Sequence, residues 1–390
     1  MPEIKIFPIK HLKEKKINKK DVKFYLSSLV KESLKHYSVF NTFRSENAPR
    51  RDQFKKFLKF KKVVIIGMGG SVLASKSIYN FMKNKIKKKF YFIDNLDREI
   101  LKNFLNEKKN TLFLLISKSG TTLETLSSVS IIEKIIKNYN TVVITENSNN
   151  PLNKFAIEKK LRIIEHKKYI GGRFSVFSDV GMFPAYLMGL NVSKILNAAQ
   201  KSFKNFEKIL IQDVPILNNI YSNKNFNSIV LLNYSNELYP FLEWCQQLIA
   251  ESLGKKGKGL LPVISKAPKD HHSLLQLYLG GPKDKLFYIF SDETNQDLII
   301  KKNIFKNSYD LKNKHLNQIV LIQKKALVQT LDEKKIPYKE FSFTTRNETA
   351  LGKLFAYFIL ETVLIGKTLK INPFNQPEVE TVKIKTKKRL

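Results

Sequence analysis

The sequence contains almost no cysteine, and this scarcity excludes one way of holding a fold together. Cys245 is the only cysteine among 390 residues, so no intrachain disulfide can form. A lone cysteine of this kind is most often a buried and unreactive thiol, which is what we expect here. A chain without disulfides suits a reducing compartment, and the sequence therefore predicts a cytoplasmic protein.

The sequence also lacks the apolar segments that signal peptides and membrane spans require. Residues 1–10, MPEIKIFPIK, contain no apolar core of the signal-peptide kind. The most apolar long segment, residues 351–369, is interrupted by Lys353, Glu361 and Lys367, a pattern typical of a helix in a protein core. We therefore expect no membrane partner.

Acidic residues are few compared with basic ones. There are 34 Asp and Glu against 69 Lys and Arg, which gives a formal net charge of +35 at pH 7. Such an excess ordinarily indicates nucleic acid or an anionic membrane as a partner. Here the lysines are spread along the whole chain among Asn and Ile, as in a genome-wide compositional bias. We therefore expect no nucleic-acid partner, although the positive field would attract an anionic substrate.

The apolar residues that are present predict an α/β fold. A chain of this length with 43% hydrophobic residues can bury two cores. Short apolar runs alternate with helical patterns, which indicates two doubly wound parallel sheets covered on both faces. The predicted strands are residues 62–66, 90–93, 111–116, 142–145 and 161–164, then 228–234, 286–290 and 338–343. A Lys/Asn-rich stretch around residues 191–226 separates the two units.

The central motif is ISKSGTTLETL, residues 116–126, which joins a predicted strand to a predicted helix. Its hydroxyl groups, its flexible glycine and the free N–H groups of the helix start are the parts of a phosphate-binding turn. An ordinary Ser/Thr helix cap explains the stretch equally well when it is taken alone. The residues concerned are Ser117, Ser119, Gly120, Thr121, Thr122 and Thr125.

A second turn, GMGGS at residues 67–71, follows the predicted strand 62–66. It resembles part of a dinucleotide fingerprint, but the third glycine of that motif is absent. We favour the alternative, in which Gly69 and Gly70 let the backbone approach a sugar or its phosphate. Both turns lie at the carboxyl ends of strands, where such sheets bind ligands, and together they favour phosphate binding over simple capping.

Three further residue patterns carry chemistry. Arg173 follows two glycines and could stabilise an oxyanion, or it could be a surface arginine beside a hinge. Gln247 and Glu251 share one face of the predicted helix 239–253, and Glu251 is either solvated or held as a base. Of the adjacent histidines at 271 and 272 at most one can serve the site, and no metal-ligand pattern accompanies them.

Taken together, six motifs resemble those of the glucose-6-phosphate isomerase (phosphoglucose isomerase) family. They are GMGGS at 67–71, SKSGTTLET at 117–125, GGRFSVFS at 171–178, QQLIAESLGK at 246–255, HSLLQ at 272–276 and NQPEVETVK at 375–383. The resemblance implies two sugar-isomerase (SIS) domains and an extended C-terminal arm. We expect an N-terminal helical segment at 1–45, SIS domains at 46–195 and 196–370, and the arm at 371–390.

The resemblance also implies an activity: the reversible isomerisation of glucose 6-phosphate and fructose 6-phosphate in glycolysis and gluconeogenesis. Glu251 would move a proton between C2 and C1 through a cis-enediol, and Arg173 would stabilise the enediolate. His272 and Lys383 would open the sugar ring, and Glu124 would orient the histidine. The implied protein is a homodimer in which His272 enters the partner's site.

The remaining residues implied by the resemblance bind substrate, and neither a metal nor a cofactor is implied. The implied substrate contacts are Gly70, Ser71, Ser117, Lys118, Ser119, Gly120, Thr121, Thr122, Gln247 and Gln376. One departure from the family pattern is Glu378, which stands where the motif usually has glycine. The chain is also short for the family.

Two alternatives remain at this stage. A bifunctional phosphoglucose/phosphomannose isomerase often carries threonine in place of the glutamine, so Gln376 favours the glucose-restricted enzyme. A non-catalytic sugar-phosphate sensor would keep the phosphate turn, but it would not need the four catalytic residues together. All four are present in this chain.

Overall fold

The structure is a computed structural model, and it describes residues 3–12, 18–48, 54–96, 98–105, 110–294, 298–305 and 308–390. The strands in these ranges form two five-stranded sheets. The strands are β1 Ile4–Ile6, β2 Lys62–Ile66, β3 Lys89–Ile93, β4 Thr111–Ile116, β5 Thr141–Thr145, β6 Arg162–Glu165, β7 Ser228–Asn233, β8 Leu261–Lys266, β9 Lys285–Asp292 and β10 Tyr338–Phe343.

The helices cover the faces of these sheets. The α-helices are α1 Lys19–Glu32, α2 Gly70–Phe81, α3 Arg98–Leu105, α4 Leu123–Ile131, α5 Pro151–Glu158, α6 Asp179–Leu187, α7 Val192–Asn205, α8 Glu207–Ser222, α9 Tyr239–Leu253, α10 Leu275–Gly280, α11 Leu316–Glu333, α12 Glu348–Thr368 and α13 Val379–Lys387. Short 3₁₀ helices lie at Val39–Phe43, Ser45–Asn47, Lys55–Lys59, Lys83–Lys85, Glu133–Ile135, Gly172–Phe177, Asn236–Leu238 and Lys269–His271.

The first sheet has the strand order β3-β2-β4-β5-β6, and all its pairs are parallel. The chain runs from β2 outward to β3 and then returns to the other side of β2 as β4. This reversal opens a crevice at the carboxyl ends of β2 and β4, which is where open α/β sheets bind ligands. Both predicted ligand turns follow these two strands, so the parallel-sheet prediction is confirmed and the turns are neighbours.

The second sheet has the order β1-β10-β9-β7-β8 and repeats this pattern, with β7 between β8 and β9. It is parallel except for β1, which runs antiparallel to β10. The sequence analysis did not predict β1 or β8. β1 has only three residues, and the apolar part of β8, LPVI, contains Pro262, a residue type that is rare inside strands.

The stretch around residues 191–226 is also more ordered than its Lys/Asn-rich composition indicates. It contains α7 and α8, whose apolar residues are buried while their lysines lie outside. A Cβ added at Gly352 of α12 would lie 2.2 Å from the carbonyl oxygen of Ile195, so glycine lets α12 pack closely on α7. The predicted boundary between residues 195 and 196 falls inside α7, and the division into domains stays a prediction.

α12 is the central core helix of the second half. It is long and apolar enough to cross a membrane, but 89% of its most apolar window is buried inside the protein. It contributes Glu361 to a buried ionic cluster in which the Nζ of Lys339 on β10 lies 2.6 Å from Asp213 Oδ2 on α8 and 3.0 Å from Glu361 Oε1. Burial raises the pKa of Asp213, and the positive charge of Lys339 opposes that rise.

The C-terminal arm, residues 371–390, differs from the extended segment that the sequence analysis predicts. Only its first part is irregular, and the rest forms the exposed helix α13. Glu378 precedes this helix with φ −66° and ψ −29°, a backbone conformation that suits a residue with a Cβ. Glu380 in the first turn and Lys385 and Lys387 in the last turn complement the helix dipole, which explains why helix replaces extended chain.

Candidate active site

The turn after β4 has its hydroxyl groups gathered on one side. Ser117 Oγ and Thr122 Oγ1 lie 2.9 Å apart, and Thr121 Oγ1 lies 2.9 Å from Ser119 Oγ. Gly120 has φ +63°, and a Cβ there would lie 1.7 Å from Asn150 Oδ1. Because no other residue fits that position, the bend that brings the hydroxyl groups and the start of α4 together depends on glycine.

Lys118 adds positive charge beside this turn. Its Nζ donates a hydrogen bond to the carbonyl oxygen of Lys168 at 2.8 Å and lies 3.6 Å from Glu146 Oε1. Burial lowers the pKa of Lys118, Glu146 raises it, and the positive charge of Arg173 lowers it further. A lysine ammonium group beside these hydroxyl groups is suited to binding a dianion.

The glycines of the turn after β2 let its backbone pack directly against two other segments of the protein. A Cβ on Gly70 would lie 2.2 Å from the carbonyl group of Gly172 and 2.6 Å from the backbone nitrogen of Arg173. A Cβ on Gly69, which has φ +52°, would lie 2.7 Å from Gln247 Nε2. The turn therefore lies directly against the Arg173 backbone and the Gln247 side chain, while Ser71 lies beside it at the start of α2, 9% exposed.

Arg173 lies at the centre of the site and is buried, with 1% of its side chain exposed, so the surface-arginine alternative is excluded. Its guanidinium group donates five hydrogen bonds to acceptors from α9 and the arm. The acceptors are Ser252 Oγ at 2.8 Å, Glu251 Oε2 at 3.0 Å, Gln376 Oε1 at 2.6 Å, and the carbonyl oxygens of Pro373 at 2.7 Å and Asn375 at 3.0 Å. Burial lowers the pKa of Arg173, and Glu251 opposes this.

Glu251 is held by both of its carboxylate oxygens. Oε2 accepts from Arg173, and Oε1 accepts from Gln247 Nε2 at 3.0 Å, as the four-residue spacing on α9 predicts. Its side chain is 26% exposed, so the carboxylate is oriented but not sealed off. Gln247 Oε1 is buried without a hydrogen-bond partner among the described residues, which leaves an acceptor for a ligand hydroxyl group.

His272 and Lys383 are not brought to this cluster by the single chain. His272 is exposed after the 3₁₀ helix Lys269–His271, whereas His271 is tied into the fold, its Nε2 lying 2.6 Å from Tyr234 Oη. Lys383 lies on exposed α13 and pairs with Glu380 at 2.7 Å.

The roles expected of His272, in the site of a second copy, and of Lys383 therefore stay predictions. Among the described residues, no hydrogen bond or ion pair joins His272 or Lys383 to Glu251 or Arg173. Glu124 is half-buried in the first turn of α4, and within the described ranges no hydrogen bond or ion pair links it to His272.

Comparison with known proteins identifies the family. The phosphoglucose isomerase family model matches residues 23–261. The chain is 35% identical over 349 residues to a glucose-6-phosphate isomerase of Methanocaldococcus jannaschii, covering 85% of each chain. The chain belongs to the phosphoglucose isomerase family. The resemblance drawn from the six motifs is thereby confirmed.

Two further comparisons agree with this family. A glucose-6-phosphate isomerase of Mycoplasmopsis synoviae is 32% identical over 368 residues, which cover 87% of this chain and 85% of the relative. A solved structure of a hypothetical protein from Thermus thermophilus matches with a TM-score of 0.84 at 26% identity, covering 95% of this chain and 94% of that one. The similarity therefore extends over almost the whole fold.

Several groups around Arg173 were not foreseen from the sequence. Ser252 and Trp244 hold the arginine, the latter by donating its indole N–H to the Arg173 carbonyl oxygen at 3.0 Å. The acceptors of Pro373 and Asn375 are backbone carbonyl oxygens, so the residue types at these positions do not reveal them. The one available clue is the proline spacing of the motif at 372–377, which fixes a backbone course able to present carbonyl groups.

Proposed function

We propose that this member of the phosphoglucose isomerase family interconverts glucose 6-phosphate and fructose 6-phosphate by ring opening and proton transfer through a cis-enediol. The observation that carries the proposal is the pairing of Arg173 with Glu251 while Gln247 holds the second carboxylate oxygen. The two ligand turns lie at the adjoining edge of the first sheet. A carboxylate and a cation placed together match a reaction that removes a proton next to a carbonyl group.

The phosphate group binds at the turn after β4. Its hydroxyl groups, the N–H groups at the start of α4 and the Lys118 ammonium supply donors and positive charge. These groups are Ser117, Ser119, Gly120, Thr121 and Thr122, with Gly70 and Ser71 of the other turn lying near the sugar. Gln247 and Gln376 contact sugar hydroxyl groups, and the unpaired Gln247 Oε1 supports that role.

The isomerisation itself needs one base that reaches two adjacent carbons. Glu251 takes the proton from C2 of the open-chain aldose and returns it to C1, and its two oxygens allow both positions to be reached. Negative charge develops on the sugar oxygen as the enediolate forms. The Arg173 Nη1, already 3.0 Å from Glu251 Oε2, is a fixed cation beside that charge, so little reorganisation accompanies the step.

Ring opening precedes this step, and we assign it to His272 and Lys383, with Glu124 orienting the histidine. His272 acts in the site of a second copy, so that the active protein is a homodimer. The exposure of His272 in the single chain supports this assignment. The enzyme acts in the cytoplasm as two SIS domains, 46–195 and 196–370, and the shared strand order of the two sheets supports that division.

The activity is tested by converting fructose 6-phosphate to glucose 6-phosphate without added metal. Glu251→Gln is expected to lower kcat at least about a hundredfold, because it removes the base. Glu243→Gln is the matched control, since Glu243 lies on the same helix but pairs with Lys76 at 3.4 Å. Wild-type protein that binds the sugar phosphate without converting it would refute the isomerase and leave a sensor. Mannose 6-phosphate, tested alongside, separates the glucose-restricted from the bifunctional enzyme.

The shared site is tested with hybrid dimers of His272→Ala and Glu251→Gln. Each variant alone is expected to be nearly inactive. Random reassociation puts half of the dimers in mixed form, and each of these has one intact site of two, so about a quarter of wild-type activity returns. No recovery after confirmed subunit exchange would mean that His272 serves its own chain.

A further inference from the structure

Lys255 occupies a position that the reaction scheme leaves unused. It follows Gly254, where α9 ends, four residues after Glu251. Its Nζ donates hydrogen bonds to the carbonyl oxygen of Ser252 at 3.0 Å and to the carbonyl oxygen of Asn372 at 2.6 Å. One ammonium group therefore joins the end of the helix that carries the base to the first residues of the C-terminal arm.

The two groups that Lys255 joins are neighbours of the groups that hold Arg173. Ser252 accepts from Arg173 Nε through its hydroxyl group, and the residues directly after Asn372 supply the carbonyl oxygens for Nη2. Arg173 and Lys255 thus bridge the same two segments, the end of α9 and the arm. A shift of the arm at Asn372 would move the three acceptors of the guanidinium group that the arm supplies.

The arm is also held by Arg173 itself and by the ring of Phe374, which packs on Phe174 with 5.2 Å between ring centroids. A cavity of about 570 Å³ lies between the loop at 254–258 and the arm, so the two segments are not closely packed there. Lys258, in the same loop, donates to the carbonyl oxygen of Leu369 at 2.9 Å, before the arm begins. Of these two lysines, Lys255 is therefore the one that holds the arm next to the site.

We propose that Lys255 is a positioning residue: by holding the Asn372 carbonyl group against the end of α9, it keeps Arg173 aligned on Glu251. Its kinetic consequences rest on the proposed isomerase activity. Effective catalysis requires the charged group within about 1 Å of its productive position, and a misplacement of that size can lower the rate about a hundredfold. Lys255 itself touches neither Glu251 nor substrate in this scheme.

The charges around Lys255 make its hydrogen bond to the Asn372 carbonyl oxygen dependent on pH. Burial and the positive charge of Arg173 lower the pKa of Lys255 to about 8, and Glu251 opposes them. The other charged groups that line the cavity are Lys256, Lys258 and Glu378. Above that pH the amine loses its charge, and hydrogen bonds to the two carbonyl oxygens lose about half their strength. We therefore expect kcat to decline as the pH rises through about 8.

Lys255→Met is compared with Lys258→Met, which removes a similar ammonium-to-carbonyl bond from the same loop. We expect Lys255→Met to lower kcat about 10- to 100-fold with KM changed less than about threefold, and Lys258→Met to stay within about threefold of wild type. Lys255→Arg is expected to recover most of the rate and to keep it above pH 9, because arginine stays charged there. Equal losses in both methionine variants, or an unshifted alkaline decline in Lys255→Arg, would overturn the proposal.

A second readout does not depend on activity. Amide hydrogen exchange at Phe374, Asn375, Gln376 and Glu378 is expected to speed up at least about tenfold in Lys255→Met and to stay unchanged in Lys258→Met. Unchanged exchange in Lys255→Met would overturn the anchoring role even if the wild type is active. If the wild type converts no sugar phosphate but the exchange still speeds up, the isomerase proposal fails and the anchoring role stands.

Discussion

Gly70→Ala is predicted to disable the site through a backbone clash without touching any catalytic side chain. The added Cβ would lie 2.2 Å from the Gly172 carbonyl group and 2.6 Å from the Arg173 backbone nitrogen. Ordinary van der Waals contact begins at 3.4 Å, so the two turns must separate by about 1.2 Å. Both sides of the contact are backbone, and no flexible side chain can absorb the change.

The separation displaces Arg173 relative to Glu251 and Gln376. A shift of about 1 Å in a catalytic group lowers the rate about a hundredfold, and overpacking costs about 1–3 kcal/mol of stability. We therefore expect kcat to fall about 30- to 300-fold in steady-state assays, with a folded protein by circular dichroism. Trp244, the only tryptophan, donates to the Arg173 carbonyl oxygen, so its fluorescence should report the shift.

Gly171→Ala is the matched control for this prediction. Gly171 lies beside Gly172, in the turn that Gly70 packs against, with φ −69°, and its added Cβ would meet its nearest neighbours at 3.5 Å and 3.8 Å, which is ordinary contact. We expect its kcat within about threefold of wild type. The reasoning is refuted if Gly70→Ala retains wild-type kcat, or if Gly171→Ala loses as much.

Two further predictions concern stability. Lys339→Met leaves Asp213 and Glu361 buried without their cation, so urea unfolding should show a loss of about 3–5 kcal/mol; a loss below about 1 kcal/mol would contradict the ionic role. Burial lowers the pKa of His166 from its ordinary value of 6.5 to about 4. Between pH 6.5 and pH 4 the unfolded chain therefore binds a proton at this histidine and the folded chain does not. As the pH falls through this range, His166 lowers the free energy of unfolding by about 1.4 kcal/mol per pH unit. His166→Leu should remove that part of the slope of unfolding free energy against pH, and an unchanged slope would show that other groups cause it.

Sequence reasoning located the strands that are buried on both faces. The segments β2 and β4 have the predicted bounds because continuous apolar runs mark strands of parallel sheets. β10 also has the predicted bounds, although its sequence, YKEFSF, is not such a run. The same reasoning missed β8, whose burial is mixed, and the helices α7 and α8, whose lysines conceal an apolar face. Composition was a poor guide there, since lysine is common throughout this chain.

The site was predictable where side chains carry the signal. The four-residue spacing of Gln247 and Glu251 predicted a shared helix face, and the structure joins the two by a hydrogen bond. The carbonyl groups that hold Arg173 were not predictable, because a backbone acceptor can belong to any residue. The structure leaves the predicted roles of His272 and Lys383 untested, since both lie on exposed elements.

The most direct test of the account follows solvent deuterium into the sugar. Glu251 is 26% exposed, so a proton that it carries can exchange with solvent before it is returned. In D₂O the wild type is expected to place deuterium at C2 of glucose 6-phosphate during turnover of fructose 6-phosphate. Glu251→Gln should slow conversion and deuterium uptake together by at least about a hundredfold, with Glu243→Gln near wild type. Conversion by the wild type with no deuterium uptake, or uptake that survives in Glu251→Gln, would contradict Glu251 as the base.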